Sequence, residues 1–412
     1  MHQRLYHHEL PNGLVLLAEE MPWLESSAFA ILLPAGSIRD PAERRGLASF
    51  TCEMVQRGCG TRDSRAFVED LDRLGADRSA SVSATHASYG AAVLARNLHP
   101  TLQIYADLVR RPMLPADQLE DARQVCIHEI RSIADDPAHL CHELLRRLHY
   151  PSPWGLPTQG ELGAVESIDI KHIQQFVATH HRPSSAILSV AGRIDWSELK
   201  DWTEELFGDW SAPQVSDVAP TPPPRGYEHI EQLSSQTHIG IAYPSVPYRH
   251  VDYYQARGAI GVLSDGMSSR LFTEVRQKRG LSYSVYASYH SLKNEGAVFC
   301  YAGTQTERAQ ETLDVMMGEL HRLTSGIEAS ELQRLKARVK SALIMQQESS
   351  AARAMSMAGD WYHRGELLSL ETVSALIEGL SVESINKYLA QHPPQHFSVA
   401  TVGSRRLEVN QL

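Results

Sequence analysis

A proline-rich segment divides this chain almost in half, and it constrains the fold more than any other feature. Five prolines fall between positions 213 and 224, and such a run can continue neither a helix nor a central strand. We therefore predict a semi-rigid linker at 213–226, with one domain at 1–212 and another at 227–412. A chain of 412 residues also exceeds the length at which a single core usually stops growing.

The two halves have the same order of predicted elements, as expected of an internal repeat. The first half reads as a hairpin around Asn12 and Gly13, a strand at 28–33, a helix across 45–57, a helix from Ser64, paired strands at 76–84 and 88–95, helices at 99–110, 115–134 and 170–179, a strand at 186–191 and a helix from Asp195. The second reads as a strand at 238–243, a helix at 252–263, strands at 284–289 and 297–303, helices at 307–323 and 329–346, and a strand at 397–402. This order predicts an α+β fold with two homologous domains, each a mainly antiparallel sheet packed with helices.

Charge and cysteine content exclude several classes of protein. The formal charge of −10, from 39 basic and 49 acidic residues, provides no footprint for nucleic acid. No apolar run is long enough to span a membrane, and the first residues lack the apolar stretch of a secretion signal. The five cysteines are an odd number without disulfide-scaffold spacing. We therefore expect reduced thiols and a cytoplasmic location.

One stretch carries the clearest relation to known proteins. Residues 46–54 read Gly-Leu-Ala-Ser-Phe-Thr-Cys-Glu-Met. They resemble the zinc helix of the inverted-zincin metallopeptidases, the pitrilysin and mitochondrial processing peptidase family, which reads Gly-Leu-Ala-His-Phe-Leu-Glu-His-Met and contains H-x-x-E-H. The resemblance places Ser49 and Glu53 at the two histidine positions and Cys52 at the general-base position. It places Glu129 at the third ligand position.

The chemistry of these four residues does not suit a catalytic zinc ion. Such an ion needs three protein ligands and an open position for water. The Ser49 hydroxyl is a weak ligand, and the Cys52 thiol cannot replace the carboxylate that deprotonates zinc-bound water. Glu53 is a possible ligand, but one carboxylate is not a site. We expect no zinc, and no other cofactor, in this chain.

A second stretch keeps the pattern of the same family. Residues 268–283 resemble its second-domain signature, which implies that Arg276 and Tyr283 reach the substrate on the zinc ion. A guanidinium supplies forked donors for peptide carbonyl oxygens, and a phenol can donate to a developing oxyanion. Gly280 is predicted to end the helix that carries Arg276 and to turn the chain toward a strand.

The chain therefore resembles one half of a divided active site. In the bacterial two-chain members of the family, one subunit carries H-x-x-E-H and the other carries the Arg/Tyr pair. The resemblance implies a zinc-binding homologous partner subunit and peptide substrates, with a homodimer as the alternative for the isolated chain. No glycine-rich loop of the noncatalytic mitochondrial subunit is present. The alternative is a nonenzymatic scaffold or assembly subunit of the same fold.

Three other interpretations stay open at this stage. Cys52, Glu53, His128 and Glu129 would form a remodelled metal site if the fold brings them together. Cys52 would be a nucleophile if His128 and an oriented third group activate it. The histidine pairs at 7–8 and 180–181 are interpreted as surface residues, since adjacent side chains do not face one ligand.

Overall fold

The computed structural model describes residues 3–346 and 348–409. The strands are β1 (Arg4–Glu9), β2 (Val15–Glu20), β3 (Ser26–Leu33), β4 (Gly58–Cys59), β5 (Arg62–Asp63), β6 (Asp77–Val82), β7 (Ala87–Leu94), β8 (Ile187–Gly192), β9 (Gly226–Glu231), β10 (Gln236–Ser245), β11 (Ser282–Ser291), β12 (Gly296–Gln305) and β13 (Ser398–Gly403). The α-helices are α1 (Leu47–Val55), α2 (Ser64–Arg73), α3 (Leu98–Arg110), α4 (Leu119–Ala134), α5 (Pro137–His149), α6 (Leu162–Ser167), α7 (Ile170–His180), α8 (Trp196–Phe207), α9 (Tyr253–Ser264), α10 (Ala309–Leu323), α11 (Ala329–Gln346), α12 (Ser350–Arg364), α13 (Leu370–Glu378) and α14 (Val382–Gln391).

Two large sheets with matching strand orders confirm the two homologous α+β domains. The first sheet runs β1-β2-β8-β3-β7-β6, and the second runs β11-β12-β10-β13-β9. Neighbouring strands are antiparallel except for one parallel pair in each sheet, β2 with β8 and β9 with β13. The order β6-β7-β3-β8-β2 of the first domain therefore corresponds to β11-β12-β10-β13-β9 of the second.

Both faces of the first sheet are buried at its strand β3, which explains the unbroken apolar run of that strand. Successive side chains of a strand point to opposite faces. Phe29 and Ile31 belong to the main core of the first domain, which also contains apolar residues of α1 and α3. Ala30 and Leu32 point the other way and pack with Met357 of α12.

One helix from each half of the chain packs on the sheet of the other half. Helix α12 belongs to the second half of the chain, yet it packs across β3 and β8 of the first sheet. Helix α5, from the first half, packs across β13 and β10 of the second sheet. A buried ion pair, 2.6 Å between Arg353 Nε of α12 and Glu19 Oε2 of β2, joins the halves on one side. The exchange holds the two domains together.

Several elements were missing from the predicted order. Strands β4, β5 and β9 and helices α5, α6, α12, α13 and α14 are present in addition to those of the predicted order. The segment between α8 and β9 contains no helix or strand of the described structure apart from a single β-bridge of Thr221 with Ser152. Among residues 3–346 and 348–409, no helix has the length and apolar character that a membrane crossing requires.

Candidate functional site

A buried carboxylate fixes the start of helix α1, which carries Ser49, Cys52 and Glu53. Asp40 accepts hydrogen bonds from the backbone N–H groups of Gly46 and Ala48, each at 2.8 Å. Burial raises the pKa of Asp40 to about 7, although both hydrogen bonds oppose the shift. Gly46 has φ 100°, and a Cβ there would lie 2.5 Å from the carbonyl oxygen of Gln159. Helix α1 therefore lies directly against the segment around Gln159.

The Ser49 hydroxyl forms a hydrogen bond with the backbone of another segment. Its Oγ donates to the carbonyl oxygen of Thr158 at 2.7 Å. This bond ties α1 to the segment that follows α5. A neutral hydroxyl held in this way is a poor metal ligand.

The Cys52 thiol is buried and stays protonated at neutral pH. It is 7 % exposed. Burial is the main reason that its pKa rises to about 12, and the carboxylates of Glu53 and Glu129 add to the rise. A nucleophilic cysteine requires the thiolate, so this environment opposes the nucleophile interpretation.

Glu53 of α1 and Glu129 of α4 interact with different side chains. Glu53 Oε1 forms an ion pair with Arg57 Nη2 at 2.8 Å, one helical turn away. Glu129 is exposed, and Gln159 Nε2 donates to its Oε1 at a long 3.4 Å. His128, its neighbour on α4, is also exposed.

The residues present do not fit a zinc ion. Among the residues that the structure describes, no group of three or more histidine, cysteine, aspartate or glutamate side chains is arranged to hold a metal. The remodelled site from Cys52, Glu53, His128 and Glu129 is therefore not assembled. We derive no metal chemistry from this chain.

Arg276 lies on an irregular helix. Residues Phe272–Gln277 form a π-helical turn, in which the Lys278 N–H donates to the Thr273 carbonyl five residues earlier at 2.9 Å. Short π-helical turns occur often at functional sites. As predicted, Gly280 ends this helix with φ 60°, its N–H donating to the Arg276 carbonyl at 3.1 Å.

Tyr283 lies at a second backbone irregularity. Ser282 and Ser284 pair with consecutive residues of β12, so Tyr283 is the extra residue of a β-bulge. Bulges redirect side chains and are common beside active sites. The Tyr283 side chain is 81 % exposed, and it lies on β11, the edge strand of the second sheet.

The structure brings Arg276 and Tyr283 together. The Arg276 guanidinium carbon lies 4.3 Å from the centre of the Tyr283 ring and 4.9 Å from that of Phe272. Both distances are within the range of a cation–π interaction. Arg276 has no ion-pair partner in the described part of the chain, so its N–H donors are free for another molecule.

The pair is separate from α1 within this chain. No hydrogen bond, ion pair or ring contact of the described residues joins Arg276 or Tyr283 to Ser49, Cys52 or Glu53. A cavity of about 460 Å³ between the domains is lined by Thr158 and Gln159 on one side and by His290 on the other. His290 lies seven positions after Tyr283 on β11, which corresponds to about 24 Å of extended strand.

The histidine pairs differ in their surroundings. His8 Nε2 lies 3.2 Å from Glu204 Oε1 near the surface. The prediction of a surface position is wrong for His181, which is 4 % exposed. Its Nδ1 lies 3.1 Å from the Val109 carbonyl oxygen, and burial lowers its pKa to about 4. This histidine belongs to the packing between α3 and the end of α7.

Two family models match consecutive parts of the chain. The model described as insulinase (peptidase family M16) matches residues 15–159, and the one described as peptidase M16 inactive domain matches residues 167–339. Together they span most of the chain, in the order in which the two domains occur. The chain belongs to the M16 peptidase family.

Curated relatives match this M16 chain along nearly their whole length. An uncharacterized zinc protease of Rickettsia felis is 27% identical over 380 residues, which cover 92% of each chain. One of Bacillus subtilis is 26% identical over 400 residues, covering 95% of this chain and 96% of the relative. One of Mycobacterium tuberculosis is 28% identical over 408 residues, covering 96% and 92%.

Solved structures share the fold of this M16 chain. A peptidase M16 inactive domain from Pseudomonas fluorescens superimposes with a TM-score of 0.89 at 21% identity, covering 99% of this chain and 100% of that one. A protease from Helicobacter pylori superimposes with a TM-score of 0.88 at 19% identity, covering 97% and 99%. At these identities the comparison establishes the fold alone.

Sequence reasoning missed two residues that shape these sites. Asp40 anchors α1, but a carboxylate six residues before Gly46 has no recognised capping spacing. Phe272 forms the second ring beside Arg276. Its position four residues earlier on a helix was a usable signal, because side chains with that spacing lie on one face.

Proposed function

We propose that this M16 chain is the subunit of a two-chain peptidase that binds no zinc, and that it provides Arg276 and Tyr283 to a peptide held by a homologous H-x-x-E-H subunit. The observation that carries the proposal is the cation–π contact between the half-buried Arg276 and the exposed Tyr283. A π-helical turn and a β-bulge place the pair. Such irregularities are retained where a side chain must be aimed.

Two donors with different roles are available in this arrangement. The Arg276 guanidinium would donate to carbonyl oxygens of the bound peptide and hold it in register. The Tyr283 hydroxyl would donate to the oxyanion that forms when water attacks the scissile carbonyl. Contact of Arg276 with the two rings orients its guanidinium before a peptide binds. Binding would then cost little additional side-chain entropy.

The side chains of α1 agree with the proposal that the partner subunit, and not this chain, binds the zinc ion. Ser49 is held by the Thr158 carbonyl, Glu53 by Arg57, and the Cys52 thiol is buried. The metal and the base that activates water would therefore come from the partner. The relatives' names as zinc proteases support peptides as the substrate class. The buried, unpaired cysteines support a reducing compartment, and we propose the cytoplasm.

Mixing two purified chains tests the proposal. This chain and the H-x-x-E-H homologue from the same organism are assayed alone and together on a fluorogenic peptide library. We expect hydrolysis by the mixture that greatly exceeds the sum of the two separate activities. A mixture no more active than the homologue alone would instead favour the nonenzymatic scaffold, the second candidate function for this fold.

A further inference from the structure

A second cavity between the domains is lined by acidic and basic side chains from four parts of the chain. Its volume is about 550 Å³. Arg39 comes from the turn after β3, and Arg182 from the segment before β8. Asp217 comes from the linker, and Lys293 from the β11–β12 turn. A molecule in this cavity would touch both domains, and the cavity includes none of the residues of α1 or of the Arg276 turn.

Arg182 differs from the other buried arginines of the described chain. Arg182, Arg270 and Arg353 are all at most 8 % exposed. Arg270 pairs with Glu331 at 2.8 Å, and Arg353 pairs with Glu19 at 2.6 Å. Arg182 has no such carboxylate among the described residues, and its buried Nε has no hydrogen-bond partner there.

Two more cations face the same cavity. Arg39 is half-buried and donates from Nη1 to the Ser216 carbonyl at 2.6 Å. Lys293 Nζ lies 5.5 Å from the centre of the Tyr362 ring. Burial, and then the charge of Arg39, lower the pKa of Arg182, while Asp217 acts in the opposite direction.

Of the three cations of the wall, Lys293 is exposed and Arg39 is half-buried, so only Arg182 is buried, and the carboxylates of the wall do not neutralise it. Asp217 and Glu295 both line the cavity, and both are exposed, so solvent screens their charges. Arg182 is 7 % exposed. A buried charge without a partner strongly destabilises a fold, and a bound anion would remove that penalty.

We propose that this cavity binds a phosphate group, free or attached to a small molecule, with Arg182 as its central contact and Arg39 and Lys293 beside it. A guanidinium fork matches the geometry of phosphate oxygens. Three cations suit a doubly charged anion better than a single carboxylate. The cavity is within the range of ordinary small-molecule sites, which leaves room for an organic group beside the indole of Trp154, another lining residue.

Titration calorimetry with the full chain tests the site. The probes are sodium phosphate and adenosine monophosphate, each against sodium chloride of equal ionic strength. We expect saturable one-to-one binding, weakened at least tenfold by Arg182→Gln and clearly by Lys293→Gln. Tighter binding of the nucleotide would identify an organic phosphate as the ligand, and equal or weaker binding the free ion. Arg65→Gln removes an arginine whose side chain is 87% exposed and should leave binding unchanged.

Stability separates a binding role from a structural one. In phosphate-free buffer, Arg182→Gln should melt at the same temperature as the unmodified chain or higher, because an unpaired buried charge is removed. Phosphate should raise the melting temperature of the unmodified chain and of Arg65→Gln, and raise that of Arg182→Gln much less. The absence of saturable binding to either probe would overturn the proposal. So would binding that is unchanged in both Arg182→Gln and Lys293→Gln.

Discussion

The Arg276 guanidinium lies 4.3 Å from the centre of the Tyr283 ring, where it stacks on a side chain that is 81 % exposed. An arginine and a tyrosine seven residues apart in sequence meet only because a π-helical turn is followed by a left-handed glycine and a β-bulge. Neither the Tyr283 hydroxyl nor the Arg276 guanidinium has a hydrogen-bond partner within the described part of the chain. It distinguishes this part of the chain from α1, where the Ser49 hydroxyl and the Glu53 carboxylate are bound to other groups of the chain.

Metal analysis should find only substoichiometric zinc in the purified, untagged chain. The reason is that Ser49 and Glu53 are held by other groups and no three potential ligands converge in the described residues. The measurement is inductively coupled plasma mass spectrometry after dialysis against a zinc-containing buffer. One equivalent of zinc that disappears in Glu129→Gln would contradict the account.

The ion pair between the two halves should contribute strongly to stability. Glu19→Gln leaves Arg353, which is 1 % exposed, without its countercharge. Breaking a buried pair in this way costs about 3–5 kcal/mol in the free energy of unfolding. The matched control is Arg4→Gln, which removes an exposed pair with Glu20 at 3.2 Å and should cost less than about 1 kcal/mol. Urea unfolding compares the two variants, and equal losses would refute the role assigned to the buried pair.

Asp40 should make stability depend on pH. Its pKa in the folded chain, about 7, lies above the unfolded value of about 3.9, so folding favours the protonated form. Its stabilising contribution is complete below about pH 4 and is lost as the pH rises through about 7. Relative to Asp40→Asn, which does not titrate, the unmodified chain should therefore lose stability over this range and then level off. Melting temperatures of both proteins across the range provide the check, and a constant difference would contradict it.

The cysteines should be inert in the native protein. All five are unpaired and buried, and burial raises the pKa of the Cys52 thiol to about 12. A thiol-specific chromogenic reagent at neutral pH should label none of them until denaturant is added, and then all five. Cys52→Ser should leave the activity of the mixed chains unchanged. Rapid native labelling of Cys52 would restore the nucleophile interpretation.

Local sequence signals were sufficient for most of the fold. Alternating strands, helical stripes and turn residues placed the repeated order of elements in both halves. Helix α5 was missed although its signals are ordinary: Asp136 caps it and Pro137 occupies its first turn. Local periodicity could not predict that α5 packs on the second sheet, because an apolar stripe on a helix does not specify which surface it covers.

The sequence predicted only part of the candidate site. The resemblance to the family's second-domain signature singled out Arg276 and Tyr283. The structure places the two side chains in contact, and their role stays a proposal. The π-helical turn depends on a local hydrogen bond, from the Lys278 N–H to the Thr273 carbonyl, that the side-chain pattern does not specify. The bulge depends on pairing with β12, about twenty residues further along the chain. The sequence also could not predict that Arg182 lacks an ion-pair partner among the described residues. Such a partner depends on which carboxylates the fold brings close to the guanidinium.

The most direct measurement is kcat/KM for peptide hydrolysis by this chain mixed with its H-x-x-E-H homologue. Removal of an oxyanion donor typically costs about 100-fold to 1,000-fold in rate, and we expect Tyr283→Phe and Arg276→Ala each to approach this loss without weakening assembly of the pair. The matched control is Tyr286→Phe, on the same strand, whose hydroxyl bonds to His142 at 2.9 Å and should be nearly neutral. Full activity of the mixture with both Arg276→Ala and Tyr283→Phe would contradict the central claim.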